Sequence, residues 1–257
     1  MLNEELGVES VADLQESCVK NEVAPLKGFG AKSQQRILDG IDLLARFSAR
    51  RRLDIGLRYG HTFLSMIEDL DGIMKAELAG SARRRRETIG DLDIVAAVQP
   101  DDVEEVTKAI LSLKGIADVK GAGDSKVSVI LDTSIFDGGF ALGHLDANVL
   151  DAIGGEDYEQ LESGGTMDAQ IRMVPPHVFA YTLAYFTGSK EHNIRMRQAA
   201  QDRGLKLNEF GLMPETDLTG LEAAATSLPA TDEADIYQHL GMEYVTPELR
   251  EDMGEIE

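Results

Sequence analysis

The chain has 257 residues, 43% hydrophobic and 28% charged, the proportions of a soluble globular protein with room for a core and roughly two or three subdomains. Its single cysteine, Cys18, excludes an internal disulfide and a cysteine-based zinc site, and its apolar runs are too short to span a bilayer. The N-terminus lacks the basic and apolar regions of a signal peptide, so a cytoplasmic protein is expected.

The formal net charge of −21 argues against a nucleic-acid partner if it is read only as a sum. Its distribution says more. Residues 26–58 hold eight basic side chains (Lys27, Lys32, Arg36, Arg46, Arg50, Arg51, Arg52, Arg58) against three acidic ones. Residues 172–206 hold six basic and two acidic ones, and Arg83-Arg84-Arg85-Arg86 is an uninterrupted run. By contrast, residues 127–171 contain nine acidic residues and no Lys or Arg, and residues 207–257 contain thirteen acidic residues and one Arg. The acidic blocks fit either a solvated, solubilising surface or adaptation to a salty cytoplasm.

In chain order, residues 4–17 are expected to form a short helix, followed by a loop at 22–25. Leu26 to Ser33 reads as a hairpin containing Gly28 and Gly30. It leads into an amphipathic helix striped by Ile37, Ile41, Leu44 and Ser48. Phe63, Ile67 and Leu70 mark another helix, stopped by Asp71-Gly72. The pattern then becomes strand-like over 73–79, which runs into Gly80-Ser81, and again over 91–98. A helix over 101–114 and a strand over 126–131 follow. Residues 137–165, acidic and with paired glycines at 138–139, 154–155 and 164–165, read as a surface excursion with a short helix at 146–153. A strand over 170–174 enters Pro175-Pro176, then helices over 178–186 and 190–203 flank Thr187-Gly188-Ser189, with Gly204 as a stop. Residues 214–257 are acidic and weakly periodic. The fold class is α+β.

The segment with chemistry is Gly80-Ser81-Ala82-Arg83-Arg84-Arg85-Arg86-Glu87-Thr88-Ile89-Gly90-Asp91-Leu92-Asp93. On a strand, Asp91 and Asp93 point to one face. Adjacent carboxylates repel unless a cation lies between them, and Mg²⁺ (or Mn²⁺) with triphosphate oxygens suits such a pair. Gly80-Ser81 lets backbone approach a phosphate, and a nearby arginine neutralises its charge. A lone Asp-x-Asp is commonplace; the order strand, Gly-Ser, arginines, Gly-Asp-x-Asp, strand is the signature of the nucleotidyltransferase superfamily.

Within that superfamily, residues 80–95 resemble the palm of family X DNA polymerases, and Tyr185-Phe186-Thr187-Gly188-Ser189-Lys190-Glu191-His192-Asn193-Ile194-Arg195-Met196-Arg197 resembles their thumb motif. The hairpin at 26–33 is similar to the family's second helix-hairpin-helix. The resemblance implies helix-hairpin-helix fingers over 1–58, a nucleotidyltransferase palm with a small mixed sheet over 59–174, carrying the acidic insertion, and a thumb with an acidic linker over 175–257. It implies that Asp91 and Asp93 bind metal, with Gly80, Ser81, Arg84 and Gly90 around the triphosphate. Tyr185, Phe186 and Gly188 would shape the sugar pocket, Asn193 and Arg197 would sit near the nascent base pair, and Lys27, Gly28, Gly30 and Lys32 would grip DNA. The expected partners are gapped or primed DNA and deoxynucleoside triphosphates, the expected role is DNA repair and the expected state a monomer. The family usually begins with a lyase-type domain and, in bacteria and archaea, continues into a PHP phosphoesterase domain; residues 247–257 resemble the linker to the latter, so a fragment or abbreviated chain is expected.

One position departs from the family. Anchoring on Ile171-Arg172-Met173-Val174-Pro175 puts Gln170 where a third aspartate would bind the catalytic metal and act as general base. A neutral amide cannot take a proton. Asp168 lies two residues back on the same strand face, and a bulge near Gly164-Gly165 would be needed to bring it into place as the third catalytic carboxylate. The alternatives are therefore a catalytically impaired DNA- or nucleotide-binding remnant, or a nucleotidyltransferase acting on a small molecule or an RNA end, against which the hairpin and thumb motif argue. His192 is expected to face solvent.

Overall fold

The computed structural model describes residues 2–48, 50–137, 165–214 and 220–256. The chain divides into two compact units, Met1–Arg50 and Arg51–Glu257. The division falls before residue 58 because the helix that follows it starts at Leu53 and belongs to the larger unit.

In the smaller unit, the helix expected over 4–17 is broken into α1 (Leu2–Leu6) and α2 (Val11–Val19). Gly7, at φ +66°, turns the chain, and Ser10 caps α2 in a reciprocal capping box with Asp13. α3 (Ala31–Ser48) follows the hairpin. The Gln34 side chain ties α3 to the loop, accepting from the Ala24 N–H at 2.9 Å and donating to Asn21 Oδ1 at 3.0 Å. At φ +90°, Gly28 has a backbone that L side chains rarely adopt. Lys27, Gly28 and Lys32 are exposed, and a Cβ at Gly28 or Gly30 would meet open space.

The larger unit starts with β1 (Arg51–Arg52) and α4 (Leu53–Glu68), then β2 (Ile73–Leu78), the single turn α5 (Gly80–Arg83), β3 (Thr88–Ile89) and β4 (Asp91–Val98). α6 (Val103–Leu111), β5 (Ile116–Gly123), β6 (Lys126–Asp132), the short α7 (Ser134–Asp137) and β7 (Thr166–Val174) follow. The sheet order is β2-β4-β7-β6-β5, with β4 and β7 parallel and the other pairs antiparallel. β1 and β3 form a separate two-stranded ribbon. The strand β5 was not expected from the sequence, and the helix expected over 101–114 is shortened by a 3₁₀ turn at Pro100–Asp102. The acidic excursion and its helix at 146–153 lie outside the described residues.

Strand alternation sorts the side chains of β4 between two cores. Leu92, Ile94, Ala96 and Val98 pack under α4, whose Ile55, Tyr59, Phe63 and Ile67 recur every four residues, and under Val106 and Ile110 of α6. Fully burying each large apolar side chain contributes about 1.5–3 kcal/mol. Val95 and Ala97 face the other way, against Val178, Phe179 and Leu183. The latter two belong to α8 (Phe179–Thr187), which precedes α9 (Lys190–Gln201). The hairpin β8 (Leu205–Asn208) and β9 (Gly211–Pro214), then α10 (Gly220–Ala224) and α11 (Glu233–His239), complete the unit. A third core joins Tyr181, Met196, Leu212, Ile236, Tyr237 and Leu240.

The segment that resembled a linker is packed. Arg250 is 1% exposed, donates to Glu233 Oε1 at 2.7 Å and to the Val245 carbonyl at 3.0 Å, and its guanidinium lies 5.5 Å from the ring centres of Tyr237 and Tyr244. Arg83 reaches the other oxygen of Glu233 at 2.6 Å. Burial alone would raise the Glu233 carboxyl; the hydrogen bonds and charges of the two arginines outweigh it and hold the group below its ordinary value.

Candidate active site

Asp91 and Asp93 stand on the same face of β4 as Val95 and Ala97, at the strand's start and beyond the cover of α8. The parallel register puts Asp91 beside Asp168 and Asp93 beside Gln170, so all four side chains share one face of the sheet. Within the described strand, β7 pairs with β4 and β6 without a register shift, so no bulge carries Asp168 into the place of Gln170.

Asp168 has another partner. The register of β5 against β6 slips between Val119 and Gly121, and Lys120, the residue at the slip, places its Nζ 2.6 and 2.7 Å from the two Asp168 oxygens. This pair is half exposed, at 47% and 53%, and is therefore a weak restraint that a bound cation can replace. Among the described residues, no three His, Cys, Asp or Glu side chains gather closely enough to hold a metal ion by themselves.

Asp93 is the strained carboxylate. Burial and then the charge of Asp91 push its pKa up to about 6, with Arg84 and Arg172 offsetting part of the rise. Gly80, at φ +57°, lets the turn of α5 close on this group: a Cβ there would lie 2.2 Å from Asp93 Oδ2. The Ala79 N–H donates to the Asp93 carbonyl at 2.7 Å and locks the turn to β4. A half-buried Asp93 beside an exposed Asp91, with Arg84 and Arg172 only partly offsetting their repulsion, fits one divalent cation, which would lower the cost of ionising Asp93. The third family position, Gln170, offers an amide oxygen at most.

Arg172, on the same sheet face as Gln170, lies over the Phe186 ring at 4.7 Å. Tyr185 meets Phe186 edge-on with ring centres 5.3 Å apart, and its carbonyl accepts from Asn193 Nδ2 at 2.7 Å. Tyr185, Asn193 and Arg197 line one small cavity. Gly188 lies at φ +72°, the Gly188–Ser189 bond is cis, and Ser189 caps α9 by accepting from the His192 N–H. Thus Gly80, Ser81 and Arg84 sit on the α5 turn and its C-terminal cap, Gly90 lies just before β4 and Asp91 and Asp93 at its start, with β3 between the turn and β4. Tyr185, Phe186, Gly188, Asn193 and Arg197 sit around the α8–α9 junction. Arg84 joins the groups by donating to the Thr187 carbonyl.

The expectation for His192 is overturned. It is 2% exposed, with Nδ1 2.8 Å from Glu255 Oε1 and Nε2 2.7 Å from the Tyr237 hydroxyl. Burial lowers its pKa, and its position toward α11 explains why a polar residue in a mostly polar helix is nonetheless internal. Lys120, Glu233 and Glu251 were missed by sequence reasoning; the only signal for the last two was the complementarity between an arginine run and a distant acidic block.

An Asp-x-Asp strand beside a Gly-Ser turn on a mixed sheet defines a nucleotidyltransferase palm, and comparisons with known proteins narrow the class. The family model described as DNA polymerase beta thumb matches residues 182–251. The chain is 34% identical over 256 residues to the DNA polymerase/3'-5' exonuclease PolX of Bacillus subtilis, a match that covers 100% of this chain and 38% of that one. It is 28% identical over 174 residues to DNA polymerase lambda of Arabidopsis thaliana, covering 66% of this chain and 31% of the relative. The fold is similar to that of Leishmania infantum polymerase beta in a ternary complex, with a TM-score of 0.62 at 19% identity, covering 97% of this chain and 91% of that one. The thumb-model match, the identity to PolX and the fold together support a family X DNA polymerase. The chain spans 38% and 31% of the length of these two curated relatives.

Proposed function

We propose that the chain is a DNA-directed DNA polymerase that adds deoxynucleotides to a primer 3′-hydroxyl at short gaps during DNA repair in the cytoplasm, with Mg²⁺ or Mn²⁺ as cofactor. The observation that carries the proposal is the Asp91/Asp93 pair on one strand face, with Asp93 held protonated up to about 6 beside a glycine turn that admits no side chain. A bound divalent cation supplies charge neutralisation for the triphosphate and activation of the attacking hydroxyl. The chain's own residues do the rest. Asp91 and Asp93 fix the cation, Ser81 and the backbone at Gly80 and Gly90 approach the phosphates, and Arg84 balances their charge. Tyr185, Phe186 and Gly188 receive the sugar, while Asn193 and Arg197 lie beside the base. The hairpin carrying Lys27, Gly28, Gly30 and Lys32 meets a DNA phosphate through exposed backbone N–H groups and lysine charge.

Gln170 sits beside Asp93 on the neighbouring strand and cannot act as the base. The 3′-hydroxyl proton therefore leaves to solvent or to Asp168 after Lys120 lets go. The register also favours a second reading, a binding protein with an impaired site, because Asp168 is held opposite Asp91 rather than Asp93. Single-nucleotide gap filling separates the two. Wild type is expected to extend slowly, and Gln170→Asp to extend about 10²–10⁴-fold faster, the usual contribution of a general base. Extension by neither protein would support the binding reading.

A further inference from the structure

The arginine run and the acidic end of the described chain meet in space. Arg84 Nε donates to Glu251 Oε1 at 2.8 Å while its Nη1 donates to the Thr187 carbonyl. Arg86 Nη1 lies 3.5 Å from the other Glu251 oxygen, and Arg85 Nε lies 3.3 Å from Glu248 Oε1. The Arg84–Glu251 pair is the sheltered one, at 15% and 23% exposure, against 67% and 44% for Arg85 and Glu248. Glu251 cannot drift away freely. The Ser189 N–H donates to the carbonyl of its neighbour Arg250 at 3.1 Å, and the Arg250 side chain is buried on Glu233.

A carboxylate that sets one oxygen on each of two guanidinium groups makes the contacts that two oxygens of a phosphate would make on the same donors. We propose that Glu251 is an internal competitor for the nucleotide's phosphates: it occupies Arg84 in the nucleotide-free chain and sets both the affinity for triphosphate and the preference for triphosphate over monophosphate. This inference rests on the reading of Arg84 as a triphosphate contact. With Glu251 in place the Arg84 charge is already balanced, so an incoming anion gains only the difference between its own attraction and that of the carboxylate. A triphosphate brings far more charge and more oxygens than the one carboxylate it displaces. A monophosphate, at about −1.5 to −2, gains much less from the exchange and binds weakly. Glu251 is thus a specificity-determining residue that acts through Arg84.

The test is equilibrium binding of a deoxynucleoside triphosphate, and of the matching monophosphate, to the full chain in Mg²⁺. Wild type is compared with Glu251→Gln, Glu251→Asp, Glu248→Gln and Asp93→Asn, and thermal unfolding of each variant reports on the fold. Glu251→Gln is expected to tighten the triphosphate about tenfold, the order of effect for releasing a charge-assisted pair, and to let the monophosphate bind measurably. Glu251→Asp, whose shorter side chain keeps the charge but cannot span both arginines, is expected to show a smaller gain, and Glu248→Gln almost none. Unchanged triphosphate affinity in a folded Glu251→Gln protein overturns the proposal. Weaker binding also overturns it, since Glu251 would then be orienting Arg84 for the phosphate. If wild type binds triphosphate in an Asp93-dependent way and Glu251→Gln is no tighter, only this inference falls. If no variant binds triphosphate at all, the nucleotide reading of the site falls with it.

Discussion

At the scale of single residues, Asp93 sets the electrostatic problem the site must solve. Its pKa is raised to about 6 from the ordinary 3.8, because burial and then Asp91 oppose its charge. Between those values the folded chain holds this proton more tightly than the unfolded chain does. Asp93 therefore favours folding at low pH, and that advantage is lost as pH rises through about 6. In metal-free protein, Asp93→Asn is expected to raise the unfolding free energy by roughly 1–3 kcal/mol at pH 8 and by less at pH 5. Urea unfolding at the two pH values reads this directly, and equal stability of the two proteins at pH 8 would contradict it. Saturating Mg²⁺ should narrow the difference, because only wild type gains from the cation. The two aspartates were legible because strand period alone puts them on one face, and Gln170 because the Ile-Arg-Met-Val-Pro segment fixes its place. Lys120 was not, because it reaches Asp168 across an intervening strand from a slip in register that no local pattern announces. Nor was the burial of His192, which depends on α11 about forty residues further on.

At the scale of elements, the α5 turn and the last described segment are where local structure is coupled to the site. Gly80→Ala would bring a Cβ within 2.2 Å of Asp93 Oδ2 while φ stays at +57°. It is expected to displace the carboxylate and to weaken Mg²⁺-dependent nucleotide binding by at least about tenfold, as tight preorganisation implies; isothermal titration checks this. Glu233 holds Arg83 on one side and the buried Arg250 on the other. Removing it in Glu233→Ala leaves the buried Arg250 without its carboxylate and Arg83 with the longer Glu77 contact at 3.6 Å, a loss of about 3–5 kcal/mol that denaturant unfolding would register. A change under about 1 kcal/mol would mean that solvent reaches the pair. The helices of this region were legible where apolar spacing was strong, as at 178–186. The β5 strand was not, because Gly121 and Gly123 and a run of exposed residues give it no alternating face. The segment 247–256 read as a linker because its ordering comes from ion pairs and from one buried arginine rather than from an apolar stripe.

At the scale of the whole molecule, a net charge of −21 coexists with basic stretches at 26–58, 83–86 and 172–206. The smaller unit carries Lys27 exposed in the hairpin and Lys32 exposed in the first turn of α3. Replacing both Lys27 and Lys32 by Ala is expected to weaken DNA binding uniformly across sequences and to reduce the salt slope of the affinity by about 1–2, as for the loss of one or two phosphate contacts. An unchanged slope would remove the hairpin from the DNA interface. The family was legible because two separated segments, 80–95 and 185–197, resemble its palm and thumb motifs. Catalytic competence was not, because it turns on one amide and on a lysine that only the three-dimensional arrangement reveals. The most direct measurement is primer extension on short-gapped DNA, in Mg²⁺ and in Mn²⁺, by wild type and Asp93→Ala. Metal-dependent extension by wild type that disappears in Asp93→Ala is the predicted result; no extension in either metal, or extension that survives Asp93→Ala, would contradict the assignment of this site as a polymerase centre.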